Sequence, residues 1–233
     1  TLAVALAFVN VGMLVYYIDH VAQSIHADSV TKTVGAELMS VIDRHYPARD
    51  ETREEEGRDL PRPGPARPID ADARGYVRYV ETSSMLALAR EHDLTVRIIA
   101  RPGAFILPGD PLAEAYSASA PDDDAIAALR KMFILGAHRT SLQDIPFAFE
   151  QLTEMAVRAL SPGINDPTTA VHCVDQIGAG LCEIVTRQRP QRLLEDSEGD
   201  PRLEIPQTEL DHLIDVALEP IARCADVHLA VWL

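Results

Sequence analysis

No charged side chain occurs before Asp19, and that fact narrows the possible folds more than any other in the 233 residues. Thr1 to Ile18 reads TLAVALAFVNVGMLVYYI, with Asn10 its one strongly polar side chain. A run of this length, apolar on every face, reaches the lower bound of about 18 residues for a membrane-spanning helix. Tyr16 and Tyr17, near its end, suit an interfacial aromatic belt. A signal peptide would need a basic leader and a small-residue cleavage site, and neither is there. A buried helix of a soluble core is the rival reading, and the all-round apolarity speaks against it. The run predicts a lipid bilayer as partner through 1–18, and a chain that is a piece of a longer membrane protein, starting inside its last span.

The remainder is acidic. Lys and Arg number 21 against 36 Asp and Glu, a formal net charge of −15. Phosphate contacts need a basic face, so nucleic acid is excluded as a partner. A hydrophobic fraction of 47% is enough for a core and rules out wholesale disorder. Cys173, Cys182 and Cys224 form no CxxC, so neither a disulfide framework nor a zinc knuckle is expected. Cys173 and Cys182, nine positions apart on one expected helix, are separated by roughly 13 Å of rise.

The pattern predicts an α+β fold, mostly helical, in three parts. Residues 1–46 hold the end of the span and a membrane-proximal amphipathic helix on Val21, Ile25, Val34, Leu38, Val41 and Ile42. Residues 47–74 carry five prolines and the run Glu54 to Glu56, a Pro- and charge-rich linker by composition. Residues 75–233 form an α+β domain with a β part at 75–116 and a helical part at 121–225. In the β part, GYVRYV (75–80) reads as a strand and 81–92 as a helix. Leu94 to Tyr116 reads as a small meander, half-barrel-like, punctuated by RPG and PGD turns. The helical part is expected to hold a helix over 122–138, then an antiparallel helix hairpin. Its members start at Asp144 and Asp166, each an Asp placed as N-cap just ahead of a proline. Gln188 to Pro206 reads as loop, 207–224 as a last helix, and 227–232 as a short closing strand.

The densest polar grouping lies between His138 and Thr169. Its candidate functional residues are Arg139, Gln143, Asp144, Ser161, Asn165, Asp166 and Thr168. A hairpin would leave Asp144 and Asp166 roughly 20 Å apart, too far for a catalytic carboxylate pair. Capping is therefore the first reading, with Asp166 or Asn165 capping the second helix and Gly163 supplying the permissive backbone of the turn. A ligand or ion site at the 165–166 corner is the alternative. No P-loop, dinucleotide fingerprint, HExxH or GxSxG is present, and the histidines are scattered. No catalytic residue, cofactor or metal is assigned.

The run QDIPFAFEQLTEMAVRALSPGINDPTTA, Gln143 to Ala170, closely resembles the signature of the bacterial membrane-protein family called domain of unknown function 2254. Its core is ALSPGINDP, Ala159 to Pro167. GYV at Gly75, RPGAFILPGDPL at Arg101 to Leu112 and the apolar stretch leading into YYIDH agree in order. Ala104 stands where the family leads one to expect an acidic residue. The resemblance implies a preceding bundle of membrane helices and brings no established activity.

The expected function is that of a soluble domain of a multipass inner-membrane protein, facing the cytoplasm and serving assembly, gating or regulation of the membrane part. Its expected partners are a second copy of the chain or other membrane subunits. Two alternatives stand beside it: a membrane-anchored hydrolase, or a small-ligand or ion sensor, either using the 139–169 cluster. The sequence leans away from an enzyme.

Overall fold

The computed structural model describes residues 9–17, 27–49 and 58–224. Within them lie seven helices and eight strands: α1 (9–17), α2 (Ala27–His45), β1 (Arg67–Asp70), β2 (Gly75–Val80), α3 (Thr82–Glu91), β3 (Thr95–Ile98), β4 (Phe105–Ile106), β5 (Pro111–Tyr116), α4 (Asp123–Lys131), β6 (Phe133–Gly136), α5 (Ile145–Ala159), α6 (Pro167–Thr186), β7 (Leu193–Glu195), β8 (Pro201–Glu204) and α7 (Leu210–Cys224). The mixed α+β class is as the sequence predicts. No described helix is long and apolar enough to cross a membrane. Val21, Ile25 and the closing strand at 227–232 fall outside the described residues.

Hydrophobic burial produces two cores. The first is a four-helix arrangement of α2, α5, α6 and α7, whose apolar stripes meet at Leu38, Ile42, Phe149, Leu152, Ile177 and Leu213. Small residues let these helices approach closely: a Cβ on Gly180 would press on Leu38 and Phe149. The hairpin loop is short because Asp166 N–H donates to Ala159 O at 2.8 Å, folding the chain straight back. Asn165 takes the left-handed conformation there, with φ of 49°. Gly163 has no positive φ, so the role expected of it falls to Asn165, whose short polar side chain tolerates that region.

The second core lies under two small sheets covered by α3 and α4. One sheet has the order β1-β5-β3-β8-β7 and the other β4-β2-β6. All neighbours are antiparallel except β3 and β8, which run parallel with Val96 opposite Leu203.

Four sequence expectations change here. The helix expected over 122–138 ends at Lys131, and Phe133–Gly136 instead pairs with β2. Phe133 continues the helical spacing of Ile126 and Leu129, but the edge of β2 offers its backbone a ladder. The stretch 94–116 is no simple meander, because β4 leaves β3 and β5 and joins β2 in the other sheet. The proline-rich 47–74 stretch includes β1, held on β5 by the buried Ile69. The loop expected over 188–206 contains β7 and β8, anchored by the fully buried Leu203.

Burial separates sites that matter from sites that do not. Phe149 is 0% exposed and Val185 60%. Phe149→Ala should cost about 3–5 kcal/mol in urea unfolding, and Val185→Ala less than about 0.5 kcal/mol.

Candidate functional site

The polar segment His138–Gln143 leads from β6 into α5 and lies where the two cores meet. Asp144 ends it as the N-cap of α5, accepting from Phe147 N–H at 3.1 Å, with Pro146 in the first turn. Its side chain is 2% exposed. Arg139 answers that buried charge with a fork: Nε donates to Oδ2 at 2.8 Å and NH2 to Oδ1 at 3.0 Å. The remaining arm of the guanidinium reaches Glu150, and its face lies 4.7 Å from the Phe147 ring centroid. Burial works against the Arg139 charge, and Asp144 and Glu150 more than offset it, so its pKa stands above the ordinary arginine value.

The same carboxylate rests against the turn between β3 and β4. Gly103 there has φ of 86° and donates its N–H to Val77 O at 2.8 Å. Any Cβ at Gly103 would overlap the Asp144 carboxylate, so the RPG turn needs glycine for conformation and for space. Gln143 makes a second tie. Its Oε1 accepts from Val80 N–H at 2.8 Å, and its Nε2 donates to Val80 O at 3.1 Å. Helix α2 supplies a third: Ser141 Oγ donates to Glu37, and Leu142 O accepts from His45 Nε2 at 2.7 Å and Arg44 NH1 at 3.3 Å.

The other candidates sit at the far end of α5. Ser161 Oγ donates to Arg158 O at 2.7 Å. Asp166 caps α6, accepting from Thr169 N–H at 3.1 Å and from Thr169 Oγ1 at 2.6 Å. The Thr169 hydroxyl, and then its N–H, hold the Asp166 carboxyl below the ordinary aspartate range. Asn165 forms the turn, and Thr168 lies in the first turn of α6. The structure thus brings Arg139, Gln143 and Asp144 together and leaves Ser161, Asn165, Asp166 and Thr168 about 20 Å away, one α5 length.

Between the two cores, beside Arg139, Gln143 and Asp144, opens a cleft of about 400 Å³. Its walls are the Arg101–Ala104 turn, the start of α5, the end of α2 at His45, the 205–208 segment, and His212 and Val216 of α7. A volume of this order suits a small molecule. Arg101, His45 and His212 were not among the residues singled out by sequence. Arg101 could have been, since it opens the RPG motif. The histidines could not, since only folding brings α2 and α7 to the same cleft. Among the described residues no group of three or more His, Cys, Asp or Glu is arranged to hold a metal.

Fold and site together define a two-lobed α+β unit, pinned at a polar junction and cleft between its lobes. The chain belongs to the family described as predicted membrane protein (DUF2254), whose profile matches residues 1–233. It is similar to the uncharacterized protein Rv1290c of Mycobacterium tuberculosis (strain ATCC 25618 / H37Rv), 27% identical over 225 residues, covering 95% of this chain and 43% of the relative. The uncharacterized protein Mb1321c of Mycobacterium bovis matches with the same identity and coverage. The chain therefore spans less than half the length of these curated relatives. No solved structure gives a significant match.

The two N-caps should respond differently to truncation. Asp144→Ala leaves Arg139 half-buried without its main partner and should cost about 3 kcal/mol in urea unfolding. Asp166→Ala loses a cap at the surface and should cost clearly less. Because the Asp166 carboxyl is held low, its contribution is complete above the ordinary aspartate range and is lost as pH falls through the folded value. The Asp166→Ala and wild-type stabilities should therefore converge in acid.

Proposed function

We propose that this chain is the extramembrane part of a multipass bacterial inner-membrane protein, held to the bilayer through 1–18 and regulating the gating of its membrane portion from the cytoplasmic side. The observation that supports this reading most is the seat of α2. This helix follows the apolar stretch in sequence and buries Leu38, Val41 and Ile42 in the four-helix core. On the same C-terminal half it grips the junction through Glu37, Arg44 and His45. A change at the junction would thus be felt by the helix that leads toward the membrane. Membership of a predicted membrane-protein family agrees with this. The hydrolase alternative drew on Arg139, Asp144, Asn165 and Asp166 acting together, and their separation by the length of α5 removes that support.

The full-length protein reconstituted in liposomes with ion-sensitive dyes should show ion flux, and Glu37→Gln with Ser141→Ala should change its rate. Absence of flux in both proteins, each correctly inserted, would overturn the gating role. Sidedness has its own test. Cys182 and Cys224 are exposed and unpaired. An impermeant maleimide should leave both unlabelled in intact cells and label them after permeabilisation.

A further inference from the structure

The packing of the four helices fixes which end of their lobe lies toward the apolar stretch. Helix α2 runs parallel to α6. Thr31 meets Cys173 at 3.8 Å, a Cβ on Gly180 would press on Leu38, and Arg187 reaches Asp43 and Tyr46 O. Helix α5 runs against them, since Asp166 N–H folds the chain back onto Ala159 O. Helix α7 lies beside α5 in the same sense: His212 and Val216 line the cleft with Ile145 and Glu150, and Ala217 O accepts from Thr153 Oγ1 at 2.9 Å. The start of α2, the 160–167 corner and the end of α7 at Cys224 therefore share one end of the lobe. The junction, the cleft and the strands lie toward the other, where Leu142 O meets His45.

Three exposed aliphatic side chains gather at the first end: Val30 on α2 at 44%, Ile164 on the corner at 55% and Val171 on α6 at 44%. Single apolar side chains on a surface need no explanation, but these stand where the chain supplies apolar sequence twice. Helix α1, whose large hydrophobic side chains are 57–69% exposed, ends at Tyr17. The ten steps from Tyr17 to Ala27 can span at most about 36 Å, which ties α1 to this end. The nine residues after Cys224, ADVHLAVWL, hold Asp226 as their one charge. The corner itself carries only Asp166, whose carboxylate is turned onto Thr169 N–H and Oγ1. Setting this tip among lipid headgroups therefore strips water from no unmatched charge. We infer that this end of the helical lobe docks on the lipid bilayer, with Val30, Ile164 and Val171 as its contact and the Ser161–Asn165 loop as its tip. The cleft and the strands then stand off the membrane by the length of α2, roughly 28 Å for its 19 residues. Docking rests on the anchoring through 1–18 proposed above, and the two can fail separately.

The test is fluorescence quenching in the full-length protein, with every other exposed cysteine replaced by serine. Val15→Cys, Ile164→Cys, Val171→Cys and Phe105→Cys are each labelled with a nitrobenzoxadiazole probe. All four side chains are exposed, so the substitutions leave both cores untouched. The variants are reconstituted in phosphatidylcholine liposomes with and without a lipid bearing a nitroxide on its headgroup. The probes at 15, 164 and 171 should lose most of their emission to the nitroxide lipid, and the probe at 105, on the far lobe, should keep it. Quenching at 15 with none at 164 and 171 would overturn the docking and leave the anchor standing. Equal quenching at 105 and 164 would overturn it as well, and so would a disulfide between copies of Ile164→Cys, which would give the face to a second copy. No quenching at any position would overturn both the anchor and the docking.

Discussion

A carboxylate taken out of water must be matched where it lies, and Asp144 is the place where this chain meets that requirement. Its burial is tolerable because Arg139 grips it with two nitrogens and the first turn of α5 presents an N–H to it. Arg139 must itself come from the segment entering α5, which fixes the path out of β6. Gly103 must be bare, which fixes the turn between β3 and β4. One ion pair therefore sets the position of a helix, a strand exit and a turn relative to one another. Burying such a pair yields little net stability compared with an apolar contact, and its worth here lies in allowing one arrangement of the two lobes.

Much of the helical architecture could be read from the residues. In α5, α6 and α7 the 3-4 spacing of Leu152 and Ala156, of Cys173 and Ile177, and of Leu213 and Ala217 marks the buried stripe. The Asp-before-proline pattern located two caps because proline fixes the backbone locally and the cap hydrogen bond spans three residues. The small strands were harder. β1 and β8 each bury one large side chain, Ile69 and Leu203, too little alternation to announce a strand. Phe133 fits the helical period of the preceding residues by coincidence, so only its pairing with Val80 identifies it as a strand residue. The site was half legible. Arg139, Gln143 and Asp144 stand close in sequence, whereas Gly103 and Val80, which Asp144 and Gln143 meet, lie dozens of residues away and no periodicity links them.

Gln143 does structural work of its own. Its amide meets both backbone groups of Val80, as a neighbouring strand would. A donor and an acceptor are both required, so a carboxylate of the same shape could not replace it without leaving Val80 O unpaired. Gln143 thus meets Val80 of β2 while its neighbour Asp144 rests on Gly103 of the turn between β3 and β4. The matches to the mycobacterial relatives lie within this chain and cover 43% of each relative.

The parallel pairing of Val96 with Leu203 has a consequence for how the protein is made. The chain visits the helical lobe at α2, leaves for the strands, returns for α5 and α6, crosses back for β7 and β8, and returns again for α7. Neither lobe is a continuous stretch, so neither can be completed by a ribosome before the other is well under way. The strand at 95–98 gains β5 soon after it emerges but waits for about a hundred further residues before its other neighbour, β8, exists. Such late, long-range closure slows folding and leaves an unpaired strand edge open in the nascent chain. The lobes are thus obliged to mature together, and a cut between them would yield two unfinished pieces in place of two domains.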